Sequence, residues 1–337
     1  MTSIQIATPS DKSEWNDFVE GNKASIFHEW EWRDVLNQAY GYAPLYLMSK
    51  GKDKMNGVFP LFSLGKLGGK RIQSIPFADS AGPVASTPAV HEHLMNAVMN
   101  YKEQVGSITW FTTDKPKSVP TGLHVSQPFS TFKMDTQASY EDVLKNTIHQ
   151  KTRNMVFRAE REGIEVHIQS GDAALKRYYP LYAKTMLRLL SLPHPKSFFK
   201  QINRHLGSKS VVFMGNRNKK VIAGLWALVD KGTLYIWGNA SDPAALRIGG
   251  NNAVYAAAIR YACEDPNIHQ VDFGSTIPDT AHHFFKSRWG GKEMPIYQVS
   301  TEKGSTTVSH QKGIMKILKF VPRVILHPLS KLIYRYY

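Results

Sequence analysis

An apolar, β-prone run from Ile268 to Phe273 carries Asp272 near its end and passes into a glycine turn within Gln270-Val-Asp-Phe-Gly-Ser-Thr276. Soon after comes Phe284-Phe-Lys-Ser-Arg-Trp-Gly-Gly291, which reads as a short aromatic helix carrying Lys286 and Arg288 and closed by a glycine pair. Another strand, Pro295-Ile-Tyr-Gln-Val299, follows. Strand, turn, helix and strand in such quick succession require a sheet covered by helices. They also place a carboxylate, glycines and two cations at consecutive element ends, where a scaffold is rigid and ligands enter.

The rest of the chain extends that α/β reading. In the first half, Asp11-Lys-Ser-Glu14 has capping-box spacing and opens a helix, and Phe27 to Leu36 continues as a second, aromatic one. Strands follow at Pro44 to Met48 and Gly57 to Phe62, then the turn-rich Phe77-Ala-Asp-Ser-Ala-Gly-Pro83. A helix over His91 to Gln104 and strands at Ile108 to Thr112 and Ser130 to Met134 complete this half. In the second, Tyr140 to Glu162 reads as one helix stopped by Gly163, and Ala173 to Leu190 as another. Pro193-His-Pro195 makes a loop, and strands at Ser210 to Gly215, Val221 to Val229 and Thr233 to Gly238 precede a helix over Asn251 to Cys263. Both halves run through a helix pair, a hairpin, a helix and a strand, although no sequence repeat accompanies the duplication.

A length of 337 residues suits two domains. The expected boundaries are 1–135 and 136–305, with 306–337 as a separate tail. No run of about 18 apolar residues suggests a membrane span, and the N-terminus lacks the basic and apolar pattern of a secretion signal. Cys263 is the only cysteine, which excludes an internal disulfide and accords with a reducing cytosol and a buried structural thiol. The net charge of +15 calls for an anionic partner: RNA, lipid headgroups or a phosphorylated donor. In the tail, Lys312, Lys316, Lys319 and Arg323 share one helical face, opposite Ile314, Ile317, Leu318, Val321 and Ile325. That pattern suits the anionic inner face of a membrane or packing onto the body of the protein.

Between the strand Thr233 to Gly238 and the helix after it lies Asn239-Ala-Ser-Asp-Pro-Ala-Ala-Leu-Arg-Ile-Gly-Gly-Asn-Asn252. A strand leading through glycines to a helix N-terminus is an anion cradle, because free backbone N–H groups and the helix dipole both favour phosphate. Arg247, Gly249, Gly250, Asn251 and Asn252 are the candidate donor-binding residues, with Arg288 as a second anion clamp. No nucleophile elbow of the Gly-x-Ser-x-Gly kind occurs. His91-Glu-His93 and His282-His283 lack zinc-site spacing, so no metal is expected.

Several stretches together resemble the Fem-type and CelD-like branch of the GNAT superfamily. They are Lys220-Val-Ile-Ala-Gly-Leu-Trp226, Trp237-Gly-Asn-Ala-Ser241, Asn251-Asn-Ala-Val-Tyr255, Val271 to Thr276 and Phe285-Lys-Ser-Arg-Trp-Gly-Gly291. Lys151 to Gly163, Phe198-Phe-Lys200, Phe27-His-Glu-Trp30 and Ala78-Asp-Ser-Ala-Gly-Pro83 add to it. The resemblance implies two tandem GNAT-like domains and transfer of an acyl or aminoacyl group to an amine. It further implies acyl-CoA or aminoacyl-tRNA as donor, no tightly bound cofactor, and a glycan or lipid-linked amine of an envelope, peptidoglycan or exopolysaccharide precursor as acceptor. Asn252 departs from the pyrophosphate-loop pattern of acetyl-CoA users, and the coiled-coil arm common in tRNA-dependent relatives is missing. A non-catalytic RNA- or membrane-binding module on the same scaffold is the alternative.

Aminolysis needs a deprotonated amine, a stabilised oxyanion and both reactants held together. Asp272 is the expected base or amine ligand and Lys286 the expected oxyanion partner. Asp79, Arg153, Arg158, Trp237, Asn239 and Tyr255 are the expected substrate-binding or wall residues.

Overall fold

The computed structural model describes residues 3–52, 54–65, 70–304, 330, 333 and 334. The described residues form two compact units, one of residues 3–128 with 295–304, 330, 333 and 334, the other of Phe129–Met294.

The first unit opens with β1 (Ser3–Ile6), α1 (Lys12–Gly21) and α2 (Glu31–Tyr40). The expected capping box falls one step earlier: the Asp11 carboxylate accepts the Thr8 N–H at 2.8 Å, while Glu14 accepts the N–H of Met55 at 2.7 Å. The aromatic helix also starts later than expected. Ile26–His28 is only a 3-10 turn, after which Glu29 is extended. Then come β2 (Ala43–Lys50), β3 (Met55–Leu64), β4 (Arg71–Ser74), the short β5 (Val84–Ala85), α3 (Pro88–Met99) and β6 (Ser107–Thr112). Strands β1 to β4 form an antiparallel meander, and β4 pairs in parallel with β6. Trp15, Trp30, Tyr46 and Phe62 interlock beneath it, with Trp15 and Tyr46 centroids 4.9 Å apart. Each such ring contributes about 1.5–3 kcal/mol by leaving water.

The second unit begins in β7 (His124–Asp135) and continues through α4 (Tyr140–Asp142), α5 (Gln150–Arg161), β8 (Glu165–Gln169), α6 (Gly171–Arg188) and α7 (Lys196–Leu206). Next come β9 (Ser210–Arg217), β10 (Lys220–Asp230), β11 (Thr233–Ser241), α8 (Pro243–Arg247), α9 (Gly250–Glu264), β12 (Gln270–Asp272) and α10 (Ala281–Ser287). Finally β13 (Lys292–Ser300) leads back into the first unit, to which its residues Tyr297 to Ser300 belong and where they pair with β6. Strands β8 to β11 are again an antiparallel meander, β11 and β12 run parallel, and β12 pairs antiparallel with β7. The two units thus repeat one strand plan.

The single helix expected over Tyr140 to Glu162 is broken. After α4 the chain takes a wide π turn through Val143–Thr147, and Ile148 is extended. Tertiary contacts override the local helical preference here: the His149 N–H donates to the Arg288 carbonyl at 2.9 Å, and Gly290 lies against the Thr147 carbonyl so closely that any side chain would collide. The expectation for the tail falls mostly outside the described residues. Of these, Tyr334 lies on the rings of Tyr40 and Phe77, each with centroids 5.5 Å away, and its carbonyl accepts from the Tyr42 hydroxyl at 2.7 Å.

Candidate functional site

The second unit holds a place where two parallel strands part. Strands β11 and β12 pair over three positions, Thr233↔Gln270, Leu234↔Val271 and Tyr235↔Asp272. There β12 ends, and Gly274, at φ 71°, turns the chain away. Strand β11 runs on to Ser241. A split between parallel strands opens a crevice at the strand ends.

A bulge sits at that split. On β10, Trp226 pairs with Gly238 but Ala227 pairs with Ile236, so Trp237 is the extra residue. One extra residue reverses which face each later side chain meets. Leu234 and Ile236 join the core beneath α9. Past the bulge, Gly238 meets Tyr178 of α6, while the Asn239 amide approaches the Gly224 carbonyl at 3.4 Å and Asn251 Oδ1 of α9 at 3.5 Å. The half-buried Trp237 ring lies between His194, Phe198 and Phe199, with centroids 5.5, 5.4 and 5.8 Å away.

Asp272 and Lys286 both hold the Gly274 turn. Asp272 Oδ1 accepts from the Thr131 hydroxyl and from the Gly274 N–H at 2.9 Å, and Lys133 Nζ is 3.8 Å from Oδ2. The buried Lys286 donates to the carbonyls of Gly274 at 2.8 Å and Ser275 at 2.9 Å. One group therefore fixes the amide N–H of the turn and the other its carbonyls. The structure brings the two residues together, but with both engaged by the backbone.

The glycine loop divides into two parts. Gly249, at φ 82°, packs against α5: a Cβ there would collide with the Met155 carbonyl oxygen and lie 3.2 Å from Ala159. This glycine serves helix packing. Gly250 is buried against Ala245. Helix α9 nonetheless starts without a side-chain cap, so the N–H groups of its first turn, at Gly250, Asn251 and Asn252, face no capping oxygen. Arg247 is exposed at the end of α8, three residues before that helix start. An anion meeting α9 there gains both the open amides and the dipole.

The other expected residues take varied places. Arg153 donates to the carbonyls of Leu144, at 3.1 Å, and Lys145, closing the π turn. Arg158 is exposed, 3.9 Å from Glu162 one turn along. Arg288 is exposed at the end of α10. Tyr255 is buried, stacked on Trp289 at 5.5 Å and Phe273 at 6.1 Å, and burial raises its pKa. It is a wall of the core. Asp79 is half-buried in the first unit, two residues after Phe77, which holds a left-handed φ of 72°. Cys263 has its thiol pushed up to about 11 by burial, which opposes a nucleophilic role.

His194 and Tyr178 escaped the reading of the sequence. His194 is held by its backbone, which donates to the Tyr182 hydroxyl at 3.2 Å and accepts from Tyr179 at 3.0 Å. Burial against Phe198 and Trp237 pushes its imidazole down to about 3, so it stays neutral near pH 7. A histidine between two prolines was a signal available in Pro193-His194-Pro195.

Residues 145–286 match the family described as an acetyltransferase (GNAT) domain. No curated protein matches the chain. Among solved structures the fold is similar to that of FemX, with TM-score 0.62 and 13% identity over 88% of this chain and 96% of that one. It is also similar to L-PGS from Bacillus licheniformis, with TM-score 0.59 and 10% identity over 93% and 98% of the two chains. A tandem GNAT protein from the clavulanic acid biosynthesis pathway gives TM-score 0.55 and 10% identity over 90% and 100%. The family match gives a GNAT domain over residues 145–286, and the solved structures share the fold over most of the chain, in line with the fold that the resemblance implied.

Proposed function

We propose that this chain, a FemAB-like member of the GNAT acyltransferases, is an N-acyltransferase that moves an acyl group from acyl-CoA to an amine on a cell-envelope or exopolysaccharide precursor. The observation that carries the reading is the parting of β11 and β12 beside the Trp237 bulge, with the uncapped start of α9 close by. A thioester laid along β11 would bring its carbonyl to the bulge and its phosphates to α9 and Arg247. The bulge leaves an unladdered backbone segment facing the carbonyl, suited to the charge that develops on oxygen. The turn fixed by Asp272 and Lys286 forms the opposite wall. Direct transfer in a ternary complex then requires the attacking amine to lose its proton at this wall, where Asp272, at the last β11–β12 pair, is the carboxylate to serve. In this reading residues 136–305 carry out transfer, and 306–337 engage an anionic membrane surface.

A second reading, an aminoacyl group taken from charged tRNA, is favoured by the likeness to FemX and by the +15 charge. Calorimetry with acetyl-CoA and with a lysyl-tRNA separates the two. Saturable acetyl-CoA binding, weakened about tenfold by Arg247→Ala, is expected on the first reading, in line with loss of a charge-assisted contact. Selective binding of the charged tRNA over its uncharged form overturns it in favour of the second. Salt-sensitive binding of both RNAs alike would mark a polyanion-binding module instead. Mass spectrometry of small molecules that co-purify with the protein gives an independent check on the donor.

A further inference from the structure

Two glycines on neighbouring strands form a slot that one tyrosine fills. A Cβ on Gly224 would lie 2.8 and 3.0 Å from Cδ2 and Cε2 of Tyr178, and one on Gly238 would lie 3.0 Å from the Tyr178 hydroxyl. Gly238 is the residue next to the Trp237 bulge, so the slot aims the phenol at the point where β11 has left β12. Tyr178 is fully buried, and its hydroxyl has no hydrogen-bond partner. The same is true of the indole N–H of Trp226, whose ring is 5.4 Å from that of Tyr178 and whose backbone pairs with Gly238.

A buried hydroxyl without a partner costs stability, and phenylalanine would fill the same slot without that cost. A donor kept there implies an acceptor that arrives with a ligand. An indole only donates, so the missing group beside these two side chains is an acceptor oxygen. Burial keeps the phenol protonated, with a pKa well above its ordinary value, as a donor must be.

We propose that Tyr178 is a catalytic residue whose hydroxyl donates a hydrogen bond to the carbonyl oxygen of the acyl group being transferred. The assignment rests on the acyl-CoA reading given above. In the step it serves, the amine nitrogen forms the new C–N bond, the C–S bond breaks, and the departing thiolate takes up the proton that the amine gives up. Tyr178 keeps its own proton throughout and only steadies the charge on oxygen.

The test compares acetyl-CoA with S-ethyl-CoA, a thioether that lacks the carbonyl, by calorimetry on the full chain and on Tyr178→Phe, together with the melting temperature of each protein. The full chain is expected to prefer acetyl-CoA by about fivefold to tenfold, and Tyr178→Phe to bind the two equally with an unchanged or higher melting temperature. Turnover in the variant should fall by about 10²–10³, the usual loss for one oxyanion donor. Tyr178→Phe that retains the preference overturns the assignment. So does a variant that melts earlier and loses both ligands in parallel, since a purely structural hydroxyl behaves that way. If neither compound binds the full chain, the acyl-CoA reading itself fails and the assignment goes with it, an outcome recognisable before any variant is made.

Discussion

The two units share a strand plan but finish it differently. In the first, β4 stops at Ser74 after three parallel pairs with β6, and the chain leaves through Ile75 and Pro76. In the second, β11 makes the same three parallel pairs with β12, then bulges at Trp237 and continues to Ser241. The helices that follow differ as well. Thr87 caps α3, its hydroxyl accepting the Val90 N–H at 3.3 Å, and Pro88 occupies the first turn. At α9 a glycine stands in the cap position and offers no oxygen. One copy closes its helix start internally, and the other leaves it without a side-chain cap. The lesson is that one strand plan, used twice, is set apart locally by a few omissions, a missing cap and a missing strand partner, with no change of architecture.

The comparison can be broken most sharply at Gly249. Gly249→Ala forces a side chain into the Met155 carbonyl at a left-handed φ, and should cost about 2–4 kcal/mol from backbone strain and overpacking together. Gly163→Ala, left-handed at φ 70° but facing open space, should cost only about 1–2 kcal/mol. Urea denaturation measures both, and equal losses would mean that close packing of α5 on the loop contributes nothing. Next comes Lys286→Met, which strips the Gly274 and Ser275 carbonyls of their buried donor. A loss of about 2 kcal/mol is expected, with turnover falling in step. Turnover lost at full stability would instead assign Lys286 a direct part in the chemistry.

Thr87→Ala sharpens the contrast between the helix starts. It should cost about 1 kcal/mol and leave acetyl-CoA affinity unchanged, because the cap it removes belongs to the closed copy. A change in affinity would show that both copies take part in donor binding. The gentlest effect is that of lowering the pH slightly below neutrality. Unfolded, His194 takes its proton near the ordinary 6.5, whereas folded it stays neutral down to about 3. As pH falls below 6.5, the unfolded chain therefore binds a proton that the folded one refuses, and stability declines; above 6.5 nothing is lost. His194→Gln should flatten that decline between pH 7 and 5 in urea titrations, and an unaltered slope would place the sensitive group elsewhere.

The sequence carried the sheet-and-helix order well because its apolar runs and glycine stops are local signals. The strands from Ser210 to Ser241 and the helix from Gly250 lie within three residues of where periodicity puts them. The break after Thr147 was not legible, since it depends on a glycine some 140 residues later pressing on that carbonyl. Asp272 and Lys286 were found as a pair through the turn between them, but their hydrogen bonds to the backbone exist only in three dimensions. Gly249 stood out as a phosphate glycine by spacing, while its packing against α5 depends on tertiary contact. Tyr178 left no mark, because a tyrosine in an amphipathic helix looks like any core residue until its hydroxyl is seen without a partner.

The single supernumerary residue at Trp237 also bears on how this strand tolerates change. Upstream of it, every second side chain answers to the core under α9; downstream, that duty passes to the opposite set. Drawing Trp237 into the regular ladder opposite Trp226 would swing Gly238 toward α9 and drive Asn239 into the aromatic slot now filled by Tyr178, so loss of the bulge without loss of a residue would exchange the environments of four consecutive positions. The strand thus behaves as two segments under separate selection, and variants that alter ligand preference are expected to accumulate from residue 237 onward while residues 233–236 hold to the demands of folding.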